Sequence, residues 1–69
     1  MAEINNDEIN NDVIKMVIML TKRKIDDDNL SIRKLAQKLD VNYPNLTRVL
    51  NGKLINYKII RKLLTWVNE

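Results

Sequence analysis

A chain of 69 residues with one glycine, one proline, no cysteine and no histidine can fold around one small core. It has no disulfides, no usual zinc ligands and no imidazole base to draw on. Its net charge of +3 conceals an acidic start and a basic body: Glu3, Asp7, Glu8 and Asp12 have no base beside them in residues 1–12, whereas Arg33, Lys34, Lys38, Arg48, Lys53, Lys58, Arg61 and Lys62 face Asp40 alone in residues 29–62. The asymmetry points to a polyanionic partner, most simply nucleic acid, and the scattered carboxylates, lysines and hydroxyls show no catalytic pairing, so neither an enzyme nor a metal or cofactor is expected.

In chain order, residues 3–12 are a tandem repeat, EINND-EINND. Its period of five suits neither helix nor strand, and residues 1–11 are read as an acidic arm ahead of a folded domain over 12–69. The start is acidic and so unlike a signal peptide. The most apolar run, Val13 to Leu20, contains Lys15 and is far shorter than the roughly 20 residues of a membrane span. With no cysteine to oxidise, the expected compartment is the cytoplasm, with no membrane partner.

From Asp12 to Lys24 the pattern is helical. Val13, Met16, Val17 and Leu20 recur at the spacing of one buried stripe, and Ile14, Ile18 and Met19 widen it. Thr21 to Lys24 close the helix with positive charge, which suits the negative end of its dipole, and Asp26 to Asn29 read as a polar turn. Ser31 is a good N-cap for a second helix, with Leu30 and Leu35 placed as a hydrophobic staple; that helix stops near Asp40. A third starts at Tyr43-Pro44 and ends at Asn51-Gly52, glycine being the natural left-handed residue past a helix end. Proline is tolerated in a first turn, and because residues before proline avoid helical angles, Tyr43 rather than Asn42 is expected to be the N-cap. A fourth helix runs from Asn56 to Trp66 or Val67, with Ile59, Ile60, Leu63, Leu64 and Val67 in a wide stripe. The expected fold class is all-α, a small four-helix domain.

The second and third helices, separated by a few residues, have the outline of a helix-turn-helix. Leu35 and Leu39 face inward from the first of the pair, Leu46 and Val49 from the other, Val41 plugs the turn, and Ala36 is the small residue where the backbones come close. The segment SIRKLAQKLDVNYPNLTRVLNGK, residues 31–53, resembles the helix-turn-helix of the Cro/phage-repressor family. Leu35, Ala36, Val41, Leu46, Thr47 and Gly52 stand where that family's pattern places them. Asp40 occupies the usual glycine position, and Asp is among the few residues that accept a left-handed turn. The family's domains commonly carry a fifth helix, and four are read here. The resemblance implies a lambda-repressor-like fold and binding to double-stranded DNA.

In such motifs the second helix of the pair enters the major groove and its first residues reach base edges. The resemblance therefore gives Tyr43, Pro44, Asn45 and Arg48 as base-reading residues. Arg48 suits guanine and Asn45 adenine, while Pro44 and the Tyr43 ring suit a thymine methyl or the sugar-phosphate chain. Ser31, Asn42, Thr47, Asn51 and Lys53 are the expected phosphate contacts. The wide apolar stripes point to a homodimer through the first helix, the fourth or both, with Trp66 as anchor, reading a pseudo-palindromic operator. The function expected is a small phage- or plasmid-type transcriptional regulator, a repressor acting by occlusion. The alternatives are a protein-docking helix-turn-helix module and a non-specific architectural or replication-associated DNA binder.

Overall fold

The computed structural model describes residues 10–69, so residues 1–9 of the acidic arm and most of the EINND repeat fall outside the described residues, while Asn10 and Asn11, expected in the arm, cap and open the first helix. Four helices follow one another: α1 (Asn11–Asp27), α2 (Ile32–Leu39), α3 (Tyr43–Leu50) and α4 (Tyr57–Val67), with no strand among the described residues. The domain is all-α, as its periodicities require. None of these helices is long and apolar enough to cross a membrane.

Every helix starts on a side chain that accepts a first-turn amide. Asn10 Oδ1 accepts from Val13 N, Ser31 Oγ from Lys34 N, Asn42 Oδ1 from Asn45 N and Asn56 Oδ1 from Ile59 N, all within 3.0–3.1 Å. Each such cap contributes about 1 kcal/mol, which matters in a chain with no disulfide to hold it. The cap of α3 differs from expectation. Asn42, in extended conformation, is the N-cap, and Tyr43 is already helical. The pre-proline bias is outweighed because Asn42 supplies both its side-chain oxygen to Asn45 N and its carbonyl to Leu46 N. Pro44 then falls in the first turn, where its missing N–H removes no helix bond.

The first three helices also end alike. In each, one amide reaches back five residues and the preceding one three: Leu30 N to Ile25 O with Asn29 N to Asp26 O, Val41 N to Ala36 O with Asp40 N to Gln37 O, and Lys53 N to Arg48 O with Gly52 N to Val49 O. These are Schellman closures, and each needs a left-handed residue. Asn29, Asp40 and Gly52 fill that place, with φ of 52°, 56° and 73°. The first closure also explains why α1 runs to Asp27, past the expected end at Lys24. The helix is stopped by the Ile25–Leu30 closure, with both residues packed on the core, rather than by the first acidic residue.

Asp40 bears a Cβ where glycine would carry none, at a backbone conformation that costs an L-residue free energy. Asp40→Gly is expected to stabilise the domain by about 0.5–1 kcal/mol, net of the extra freedom glycine brings to the unfolded chain. Thermal unfolding would register this as a rise in Tm, and an unchanged or lower Tm would show that the aspartate is not strained.

The core is built from all four helices: Ile14 and Val17, Leu35 and Ala36, Leu46, Val49 and Leu50, then Ile59, Ile60, Leu63 and Trp66. α1 packs mainly on α4 and α2 on α3, while α3 also touches α1 and α4. Thr21, on the buried face of α1, is fully enclosed, and its Oγ1 has no hydrogen-bond partner among the described residues. A buried hydroxyl without a partner is destabilising, and an apolar group of the same shape is not. Thr21→Val is therefore expected to stabilise by about 1 kcal/mol, seen as a higher urea midpoint at unchanged slope. A loss of stability would mean that the hydroxyl is satisfied.

Candidate nucleic-acid interface

The residues expected to form the motif core pack together. Leu35, Ala36, Leu46 and Val49 are buried, Leu39 and Val41 are half-buried against them, and Leu50 joins the same cluster. The pair is locked from outside the motif as well. Lys62 of α4 donates its Nζ to the carbonyls of Leu39 (3.0 Å) and Asp40 (3.5 Å), placing a cation on the free carbonyls at the end of α2. Lys24 plays the same part for α4, donating to the Trp66 carbonyl at 2.7 Å while its ammonium lies 4.7 Å from the centre of the Trp66 ring. Two cations that sequence counting leaves on the surface thus act as helix caps.

With Leu46, Val49 and Leu50 turned inward, α3 shows solvent Tyr43, Pro44 and Arg48, while Asn45 is half-buried beside them. The Arg48 side chain is exposed and bonded to no described residue, although its carbonyl is held by the Lys53 amide. Tyr43 is 37 % exposed. The Arg33 guanidinium of α2 lies 4.4 Å from the centre of its ring, a cation–π contact typically worth about 0.5–1 kcal/mol at an exposed site. That stacking fixes the ring at the start of α3 and holds the Arg33 charge beside it. Nothing in the spacing announces it, since it joins positions ten apart on two helices.

The expected phosphate contacts separate into two groups. Ser31 and Asn42 use an oxygen to cap a helix, which leaves the serine O–H and the asparagine amide hydrogens, both donors, for an external acceptor. Asn51 and Lys53 are exposed at the end of α3. Thr47 differs from expectation. It is half-buried, and its Oγ1 is enclosed with no partner among the described residues, because the residue lies toward the packed side of α3. It offers no hydroxyl to a backbone phosphate.

Trp66, expected as a surface anchor, is 2 % exposed and lies in the core. The wide stripe of α4 is absorbed by packing: Ile59, Ile60 and Leu63 are buried, and Leu64 and Val67 are half-buried against the core. Among the described residues, the large apolar side chains left exposed are Met16, Met19, Tyr43 and Ile55.

Exposed Arg33, Lys34, Lys38, Arg48, Lys53 and Lys58 stand against exposed Asp40 from α2 to the start of α4; Arg33 meets α3 through Tyr43, whereas Lys38 lines a groove with Arg61, Lys62 and Trp66 of α4. The arrangement can accept a polyanion and offers Asn and Arg side chains to hydrogen-bond a partner. Comparison of the chain with protein families, with characterised proteins and with solved structures gives no match.

Proposed function

We propose that this chain is a cytoplasmic, sequence-specific double-stranded DNA-binding regulator of phage or plasmid type, a repressor that acts by occupying a promoter. The observation that carries the proposal is the exposed face of α3. Tyr43, Asn45 and Arg48 stand on a short helix whose two ends are fixed by the Asn42 cap and the Gly52 closure, braced by α2 across a three-residue turn. A helix held this way presents side chains at set positions to a groove, and Arg and Asn are the residues that pair bidentately with guanine and adenine edges. Ser31, Asn42, Asn51 and Lys53 supply donors for the flanking phosphates. The described domain measures 31 × 24 × 20 Å, so one copy suits one half-site, and two are needed to reach successive grooves roughly 34 Å apart.

Fluorescence anisotropy with a random duplex and with the DNA upstream of the protein's own gene tests the proposal. Tighter binding to the upstream DNA, weakening steeply with salt, is the expected result. Equal binding to both would replace it with an architectural role, and binding to neither with a protein-docking one.

A further inference from the structure

The outer face of α1 has no partner among the described residues. At about 100° per residue, Asp12, Met16, Met19 and Arg23 form one stripe, on the opposite side of the helix from buried Ile14, Val17 and Thr21. Met16 and Met19 are each 54 % exposed. Single exposed apolar residues need no explanation, but this pair sits at the centre of a symmetric pattern. An acid lies four positions before Met16 and a base lies four positions after Met19.

We infer that α1 is the homodimer interface, pairing antiparallel with α1 of a second copy about a two-fold axis midway between Met16 and Met19. That register sets each Met16 against the partner's Met19 and each Asp12 against the partner's Arg23. The same surface thus serves both subunits, as a two-fold contact requires. The Asp12 and Arg23 charges favour this arrangement over two competitors, although the exposed Lys15 and Lys22 share one flank of the helix and approach their counterparts in the second copy. Parallel pairing would face Asp12 with Asp12 and Arg23 with Arg23, and an antiparallel axis moved to Met19 would bring Asp12 onto Asp26. Lys22, beside Arg23, adds a second cation near the partner's Asp12. Methionine suits the centre because its unbranched thioether adapts to a facing copy. α4 has no comparable surface, since its Trp66 and its isoleucines are taken up by the core.

One stripe of a single helix buries far less than the roughly 800 Å² per partner of a standard interface, so the free chain associates weakly. Adjacent half-sites hold two copies at high effective concentration and complete the pairing. The contact rests on the DNA-binding reading only for its purpose, and it is measured without DNA.

Sedimentation of the full chain should show a monomer–dimer equilibrium at concentrations up to about 1 mM, the weak limit of useful association. Asp12→Arg and Arg23→Asp each place like charges opposite one another twice, and each should weaken self-association by about 10- to 100-fold. Mixed in equal amounts, the two variants become complementary at both contacts and should dimerise as tightly as the unaltered chain. An unaltered chain that stays monomeric, single variants that pair normally, or a mixture that fails to pair would each overturn the inference. Should a charge variant lose its helical circular dichroism, cross-linking reads the register instead. In a chain with no cysteine of its own, Met16→Cys mixed with Met19→Cys should oxidise to the mixed disulfide in excess of either self-pair, and a failure to do so counts against the pairing. A monomer that still binds its operator overturns the pairing alone, and a dimer that binds no DNA overturns the DNA reading alone.

Discussion

Trp66→Ala is expected to leave the domain unfolded or at the edge of unfolding in dilute buffer. Removing a buried tryptophan typically costs about 3–5 kcal/mol. At the usual stability per residue, a domain of this size has only about 3–9 kcal/mol to lose. Trp66 is the largest fully buried side chain in the structure, and it belongs to the one cluster that all four helices share. The substitution also removes the ring beneath the Lys24 ammonium, although the bond from Lys24 to the Trp66 carbonyl does not depend on the side chain. Far-UV circular dichroism against urea should show a midpoint displaced close to zero denaturant, while Trp66→Phe keeps a cooperative transition. A cooperative transition in Trp66→Ala that falls by less than about 1 kcal/mol, the middle of the range for ordinary substitutions, would place the ring at the margin of the fold rather than in its core.

Why Trp66 was expected on the surface shows what periodicity conveys and what it omits. A helical repeat gives the angle at which a residue leaves the axis, and that angle suffices for Leu35, Ala36, Leu46 and Val49, which are buried where α2 and α3 pack on each other. Asp40 and Gly52 were legible for a related reason, since left-handed closure narrows the choice of residue so strongly. A wide stripe carries no such limit. On α4 the width is filled by neighbours on more than one side, whereas on α1 Met16 and Met19 lie opposite the core and stay out. The two stripes look alike in sequence, and each helix packs on two others, so the width of a stripe does not say which of its edges is covered.

Long polar side chains were the least legible part of the site. Lys24 and Lys62 have the reach to meet carbonyls that belong to other helices, and only the placement of those helix ends decides that they do. The stacking of Arg33 on Tyr43 likewise depends on the angle between α2 and α3. Thr47 is the opposite case, a polar side chain that is covered. Its angle on α3 lies beside the inward row, and a short hydroxyl there is covered by its neighbours, whereas Arg48, one position on, extends clear of them. The face proposed to read DNA is therefore smaller than the sequence suggested and better fixed, with Arg48 as its longest unbonded donor.

Arg48→Ala is expected to weaken binding to the preferred operator by about 1–3 kcal/mol and to relax preference at a single base pair. The fold should not change, because the side chain is exposed and bonded to no described residue, and surface substitutions of this kind stay within about ±0.5 kcal/mol of stability. A matched urea midpoint is the control that separates lost recognition from lost structure, which Trp66→Ala would confound. Lys53→Ala supplies the contrast. As a phosphate contact it should weaken every duplex alike and lower the dependence of log affinity on log salt by about one unit. Measuring both variants on a set of singly substituted operators separates the two roles. A uniform loss for Arg48→Ala, with the same fall in salt dependence, would make Arg48 a backbone contact and shift base reading to Tyr43 and Asn45. No loss on any duplex would remove α3 from the groove altogether, because no other residue of its exposed face carries a charge to replace the one taken away.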